Sequence, residues 1–282
     1  MRRSRPRVYV ALDAASVSGG TAARSGGGFR LASHARVPLG EGALVPSPFT
    51  PNVVRPGEVA DALRALARSL RIGDAPVCLL LPDGMARLAL LEVPADVTPQ
   101  EYARFRIVPG LPYPAAEAVI DVLPVGPGRA VVAAARRGVI EGYEAVADQA
   151  GIVQDRLDLT PLAALSALLR EPGDAVGLTV DVILGDAALC LAAHQGGRLR
   201  TLRNRRRDPG PDEPGRLAEE IQRTAALAGD GAAPRVRVVG AGARDLLARW
   251  RVAGGTAEPG WRSEDAAGVE ISELAWLGGA GA

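Results

Sequence analysis

Few residues in this sequence have the type and spacing that chemistry requires. Asp13 and Asp181 each close an apolar run, and Gly240-Ala241-Gly242 opens a stretch that reads as a helix, whose N-terminus would favour an anion. Cys78 and Cys190 lie far apart in apolar runs and carry no CxxC spacing, so both read as buried, reduced thiols. His34 and His194 are flanked by strand-like sequence with no metal-ligand partner at a recognised spacing. No Ser/His/Asp, Cys/His or paired-carboxylate arrangement supplies a nucleophile or base. The chain contains no lysine, so chemistry that needs a Lys amine is excluded. A compositional preference for Arg explains that absence without invoking function. The stretch VVGAGARD resembles a dinucleotide turn, but Asp245 stands at its third glycine position and too little chain follows.

Composition bounds the scaffold that must hold these residues. The 282 residues suffice for about two domains. Hydrophobic residues make up 48% and aromatics only 4%, so the core must be built from Ala, Val and Leu. The 33 basic residues balance 32 acidic ones, which predicts no strong field to draw nucleic acid or anionic lipid. The one dense charge run joins Arg198, Arg200, Arg203, Arg205, Arg206 and Arg207. It reads as a solvated strand end and loop, or as a dock for acidic headgroups or an acidic partner tail; no interleaved aromatics support single-strand stacking. The N-terminal apolar stretch, Val8 to Leu12, is too short for a signal peptide. The apolar run 175–193 carries Asp181 and Asp186, which exclude a membrane span.

Along the chain, strands are expected over 7–13 and 28–37, joined by the turn-rich AASVSGGTAARSG. After a Pro-rich loop, GEVADALRALARSLRI reads as a helix with Val59, Leu63, Leu66 and Leu70 on one face. Strands follow at 76–81 and 87–93. Thr98, Pro99 and Glu101 then open a short helix as a capping box. Strands at 118–125 and 129–135 lead to a helix over 139–150 stopped by Gly151, and Thr160-Pro161 open another. Past Pro172-Gly173 the opening theme recurs. Strands at 176–181, 187–193 and 198–202 are expected, with Gln195-Gly196-Gly197 as a hairpin turn. A helix from Pro214, a strand at 235–239 and a last helix with Leu246, Leu247 and Trp250 complete the pattern. Two halves of similar order imply a duplicated α/β architecture with a cleft between its lobes.

Several segments resemble the PilM family of type IV pilus assembly proteins, in this order: LLLPDGMARLALLEVP (79–94), EYARFRIVPGLPYPAAEAVIDVLPV (101–125), AVVAAARRGVIEGYEAVADQAGIVQDRLDLTPLAALSALL (130–169), LAEEIQRT (217–224) and VRVVGAGARDLLARW (236–250). The resemblance covers about four-fifths of the chain. The cytoplasmic part of the type II secretion protein GspL is the competing match. The resemblance implies an actin-like, ribonuclease H-like fold related to FtsA: a first lobe over 1–172 with an inserted subdomain near 76–125, and a shortened second lobe over 173–282. It also implies a cytoplasmic protein peripheral to the inner membrane, binding the tail of a PilN-like bitopic protein and, further, a pilus or secretion ATPase complex. Tyr102, Phe105, Arg106, Pro112 and Tyr113 are the candidate walls of the tail groove.

Actin-like ATPases hold Mg-ATP with two Asp-containing, Gly-rich hairpins and a third Gly turn. Backbone amides approach phosphates only where side chains are absent, and a carboxylate must face the metal's water shell. By resemblance, Asp13, Ser16, Asp181, Gly240 and Gly242 are the remnants of that site. The sequence departs from the pattern: Gly20 falls where a lysine is needed, Ile183 where a glycine is needed, and only a Pro/Gly/Arg loop joins Arg205 to Leu217. No cofactor, no metal and no catalysis are therefore expected. The alternatives are a residual actin-like ATPase and a GspL-like secretion component.

Overall fold

The structure, a computed structural model, describes residues 8–25, 28–169, 177–229, 234–240, 242–252 and 262–265. They divide into two units. One holds the described residues of 1–86 with Ala135–Leu168; the other holds Arg87–Ala134 with the described residues of 169–270.

The first unit opens with β1 (Val8–Leu12), β2 (Ser16–Ser25) and β3 (Gly28–Pro38), an antiparallel meander. Helix α1 (Pro56–Leu70) returns the chain so that β4 (Val77–Leu81) lies parallel to β1, and β8 (Gln154–Leu159) lies parallel to β4. The sheet order is β3-β2-β1-β4-β8. Helices α3 (Arg137–Ala150) and α4 (Thr160–Leu168) complete the unit. Strands β1 and β4 are buried along their whole length, which their continuous apolar sequence requires. Helix α1 buries Val59, Leu63 and Leu66 and ends on Arg71 in the left-handed conformation, with φ of 54°.

The stretch expected to be a turn-rich connection is strand β2 over most of its length. Gly and Ala, which make up four of the 10 residues of this segment, score poorly as strand formers alone, but it is paired on both sides. Its glycine content has a packing cause. A Cβ at Gly19 would lie 2.8 Å from Leu70 Cδ1 and 3.1 Å from both Leu66 Cδ2 and the Tyr9 carbonyl oxygen, so α1 packs closely on the sheet where β2 is bare.

The second unit repeats the frame. Strands β9 (Leu178–Leu184), β10 (Ala188–Gln195) and β11 (Arg198–Arg206) form an antiparallel meander, with Gly196 and Gly197 both at positive φ in the expected tight turn. After α5 (Glu213–Ala228), β12 (Arg235–Gly240) lies parallel to β9; after α6 (Ala243–Val252), β13 (Arg262–Asp265) lies parallel to β12. The order β11-β10-β9-β12-β13 matches the first sheet strand for strand. The duplication expected from sequence order is thus a duplication of topology. Leu178, Val180, Val182 and Leu184 face Leu217, Ile221, Leu246 and Leu247 of α5 and α6.

A third sheet, β5 (Ala86–Glu92), β7 (Arg129–Arg136) and β6 (Ala118–Pro124) in the order β5-β7-β6, forms the inserted subdomain. Helix α2 (Pro99–Ile107) covers one face, burying Ala103 and Ile107 against Val132, Ala134, Ile120 and Val122. Thr98 caps the helix as expected: its Oγ1 accepts from the Glu101 amide at 3.4 Å, while its hydroxyl donates to the Glu101 carboxylate at 2.7 Å. The insertion begins later than 76, because β4 is a central strand of the first sheet. Residues 87–134 belong to the second unit, where Arg129 Nη1 donates to the Leu199 carbonyl of edge strand β11 at 3.0 Å. No helix among the described residues is long and apolar enough to cross a membrane.

Candidate functional site

The two hairpins that open the units can be compared bond for bond. In the first, the Asp13 amide donates to the Ser16 carbonyl at 2.9 Å, and the Leu39 amide donates to Ala15 at 2.9 Å. In the second, the Gly185 amide donates to Ala188 at 2.9 Å, and the Arg207 amide donates to Ala187 at 3.0 Å. The matched bonds set Gly185 opposite Asp13, Asp186 opposite Ala14 and Ala188 opposite Ser16. The second copy of the hairpin thus has no carboxylate at the position where the first has one.

Asp13 is half-buried at the start of the first hairpin. Ser16 is 2% exposed, and its hydroxyl accepts from Arg36 Nε at 2.9 Å. Gly20 lies inside β2, paired with Tyr9 and His34. Behind Asp13, Asn52 Nδ2 donates to the buried Tyr143 hydroxyl at 3.1 Å. Burial pushes the Tyr143 phenol up and the Asp13 charge adds to it, while the Asn52 bond works against both.

Asp181 is not at a turn. The expected strand over 176–181 runs on as β9 to Leu184, since Val182, Ile183 and Leu184 continue the ladder to β10 and β12. That leaves Asp181 mid-strand, 0% exposed, with Arg237 Nε at 2.5 Å, Arg237 Nη2 at 2.8 Å and His194 Nε2 at 3.0 Å. A carboxylate tolerates that burial because a bidentate guanidinium on the neighbouring strand neutralises it. Ile183 is likewise a buried strand residue between Cys190 and Val239, not a loop residue.

At the third turn Gly240 has φ of 105°, and a Cβ there would lie 2.3 Å from the Leu184 carbonyl oxygen. Glycine is required by the closeness of two strand ends, whatever ligand the turn meets. Gly242, at φ of 74°, accepts from the Leu246 amide at 2.9 Å and starts α6. Between these loops stands a group the sequence did not reveal. Arg207 Nη1 donates to the Gly185 carbonyl at 2.8 Å and Arg207 Nε to Glu213 Oε1 at 2.7 Å; Arg249 Nη2 donates to Glu213 Oε2 at 2.8 Å. Arg249 lies 36 positions beyond Glu213, and Arg207 was legible only as part of a charge run. Of that run, Arg203 and Arg205 both meet Glu220, so only part of it is a solvated face.

On the inserted subdomain the structure pairs Tyr102 with Arg106, whose guanidinium lies 5.8 Å from the ring centroid and 3.3 Å from the hydroxyl. Phe105 is 75% exposed, on the side of α2 opposite Ala103 and Ile107. Pro112 is exposed and Tyr113 half-buried. Burial raises the Tyr113 phenol, with the nearby Arg87 charge opposing it. In the first unit, Val45, Phe49 and Val54 are also about half exposed, on the Pro-rich loop that precedes α1. Among the described residues no group of three or more His, Cys, Asp or Glu side chains is placed to hold a metal ion.

Known structures with this arrangement exist at low sequence identity. The "PilM-PilN type IV pilus biogenesis complex" contains a chain similar at TM-score 0.73 and 19% identity, over 98% of this chain and 98% of that one. A Bacteroides thetaiotaomicron protein described as having an actin-like ATPase fold and unknown function matches at TM-score 0.59 and 8% identity, over 97% and 95%. The fold is actin-like. The cytoplasmic domain of EpsL, an inner-membrane component of the Vibrio cholerae type II secretion system, matches at TM-score 0.57 and 10% identity, over 98% and 94%. No family model matches the chain, and no curated protein sequence matches it. Against the actin-like hairpin pattern, the residues present do not fit Mg-ATP well. In the second hairpin no carboxylate stands at the position matching Asp13, the lysine is absent from the chain, and six residues, 207–212, stand between β11 and α5.

Proposed function

We propose that this chain is a non-catalytic scaffold of a type IV pilus inner-membrane platform, on the cytoplasmic face, holding the cytoplasmic tail of a PilN-like membrane protein. The observation that supports it is end-to-end similarity to a chain of the PilM-PilN complex, at a TM-score well above that of the secretion-system domain. The hairpins add to it, since the second has no acid in the position that Asp13 holds in the first and the chain has no lysine to meet a metal-bound triphosphate. The tail surface in this reading is the inserted subdomain. A phenylalanine left 75% in water on a well-formed helix gains by being covered, and the Tyr102–Arg106 pair offers a flat polar wall beside it. An extended tail would gain affinity from main-chain pairing and from pockets for alternate side chains.

Calorimetry with the N-terminal cytoplasmic peptide of a PilN-like bitopic protein from the same genome tests the proposal. Saturable binding that weakens about tenfold or more in Phe105→Ala supports it; no binding by the parent chain removes it. The full-length similarity to the EpsL domain favours a second reading, a type II secretion component. A binding partner drawn from secretion genes rather than pilus genes would select it.

A further inference from the structure

The group formed by Arg207, Glu213 and Arg249 lies wholly within the second unit and is not needed for tail capture. Glu213 is the first residue of α5, with its side chain 8% exposed. Its two oxygens are taken separately, Oε1 by Arg207 Nε and Oε2 by Arg249 Nη2. Each guanidinium is then fixed by a main-chain carbonyl, Arg207 by Gly185 and Arg249 by Gly210. Arg207 also stands at the third turn, where a Cβ on Gly242 would lie 3.4 Å from its Nη2. Two oriented guanidinium groups around one carboxylate, set between a hairpin and a glycine turn that starts a helix, have the form of a clamp for an oxyanion.

We infer that Glu213 is a tethered anion that fills this clamp, so that the second unit supplies its own carboxylate where a phosphoryl-bearing ligand would otherwise be held. The chain of reasoning is one of charge and tether. Two cations and one anion leave the cluster net positive, so removing the carboxylate leaves a site with an unmet demand for negative charge. A burial as deep as that of Glu213 is tolerated only when both oxygens are satisfied, as they are. A carboxylate carried on the neighbouring helix end is always at hand, so a free anion must displace it rather than enter an empty clamp. The clamp therefore stays closed to phosphate, pyrophosphate and nucleotides alike, and the β11–α5 junction keeps one geometry whatever the nucleotide level.

The test uses the full chain and inorganic pyrophosphate, read by thermal unfolding and by calorimetry. The parent protein is expected to show no midpoint shift at millimolar pyrophosphate. Glu213→Ala, which keeps both arginines and vacates their shared partner, is expected to shift upward and to bind at least about tenfold tighter than the parent. Adding Arg207→Met to it abolishes the gain. Glu213→Gln keeps the volume and removes only the charge, and serves if the alanine variant does not fold. Folded Glu213 variants that ignore pyrophosphate would overturn the inference. So would a parent chain that binds it and loses it on Arg207→Met, since Arg207 would then already serve a free ligand. Tail-peptide affinity measured on the same variants stays at the parent value, which keeps this result separate from the scaffold reading.

Discussion

Replacing Arg237 by methionine is the most demanding test of how the second sheet is held. Asp181 is 0% exposed, and its Oδ1 receives Arg237 Nε at 2.5 Å while Oδ2 is shared by Arg237 Nη2 and His194 Nε2. Methionine roughly fills the guanidinium's stem but donates nothing, so Oδ1 loses that donor inside the protein. Removing one partner of a buried pair in this way costs about 3–5 kcal/mol, because an uncompensated charge remains. The pair as a whole is worth far less, since desolvating both groups nearly cancels their attraction. Asp181→Leu combined with Arg237→Met should therefore recover most of the loss and lie within about 2 kcal/mol of the parent. Because the chain has two units, a single whole-molecule transition is not assured. Urea titration read by hydrogen exchange of peptides covering β9 and β12 reports the right region. A single variant within about 1 kcal/mol of the parent, or a double variant as unstable as the single, would refute the argument.

Three further outcomes follow from the same geometry. Gly240→Ala should destabilise the second unit by about 2–4 kcal/mol, since its Cβ would sit 2.3 Å from the Leu184 carbonyl oxygen at an unfavourable φ; a loss under about 1 kcal/mol in chemical denaturation would contradict this. Tyr143→Phe removes the hydroxyl that accepts from Asn52, whose side chain is 2% exposed, and should cost about 1–3 kcal/mol with little change in the urea slope. Burial works to raise the Glu213 pKa, but the bonds and charges of Arg207 and Arg249 outweigh it and hold the group below its ordinary 4.5. The unfolded chain then takes up that proton at a higher pH than the folded chain. This contribution is complete above about 4.5 and fades as pH falls through the lowered value, so the parent and Glu213→Gln should converge in thermal midpoint on acidification.

Much of the fold was legible because its signals are local. The apolar stripe of α1, the Thr98 capping box, the Gly151 stop and the Gly196-Gly197 turn each lie within a few residues of what they control. The failures have a common cause in distance along the chain. Strand β2 is made a strand by partners on both sides and by α1, not by its own composition. Strand β8, with its polar sequence QDRLDL, is a sheet edge that only parallel pairing with β4 reveals. A lone acid in an apolar run suggests a strand end, yet Asp181 lies mid-strand because the residue that neutralises it is 56 positions downstream. At the site, the first turn lies between Asp13 and Ser16, though the strand returning from it, β2, has the composition of a connection. The second turn opens at Gly185, four residues past Asp181, and the Arg207–Glu213–Arg249 group needs the fold to assemble it.

The bond-for-bond match between the two hairpins means the molecule contains its own control. One copy kept an acid at the first position of the turn and the other did not, yet both close on the same pair of main-chain contacts. Whatever separated the copies chemically was a change of side chain and not of frame. Restoring symmetry at Gly185 would be a one-residue graft onto an existing turn, and the ancestry of the pair is open to reconstruction within a single polypeptide.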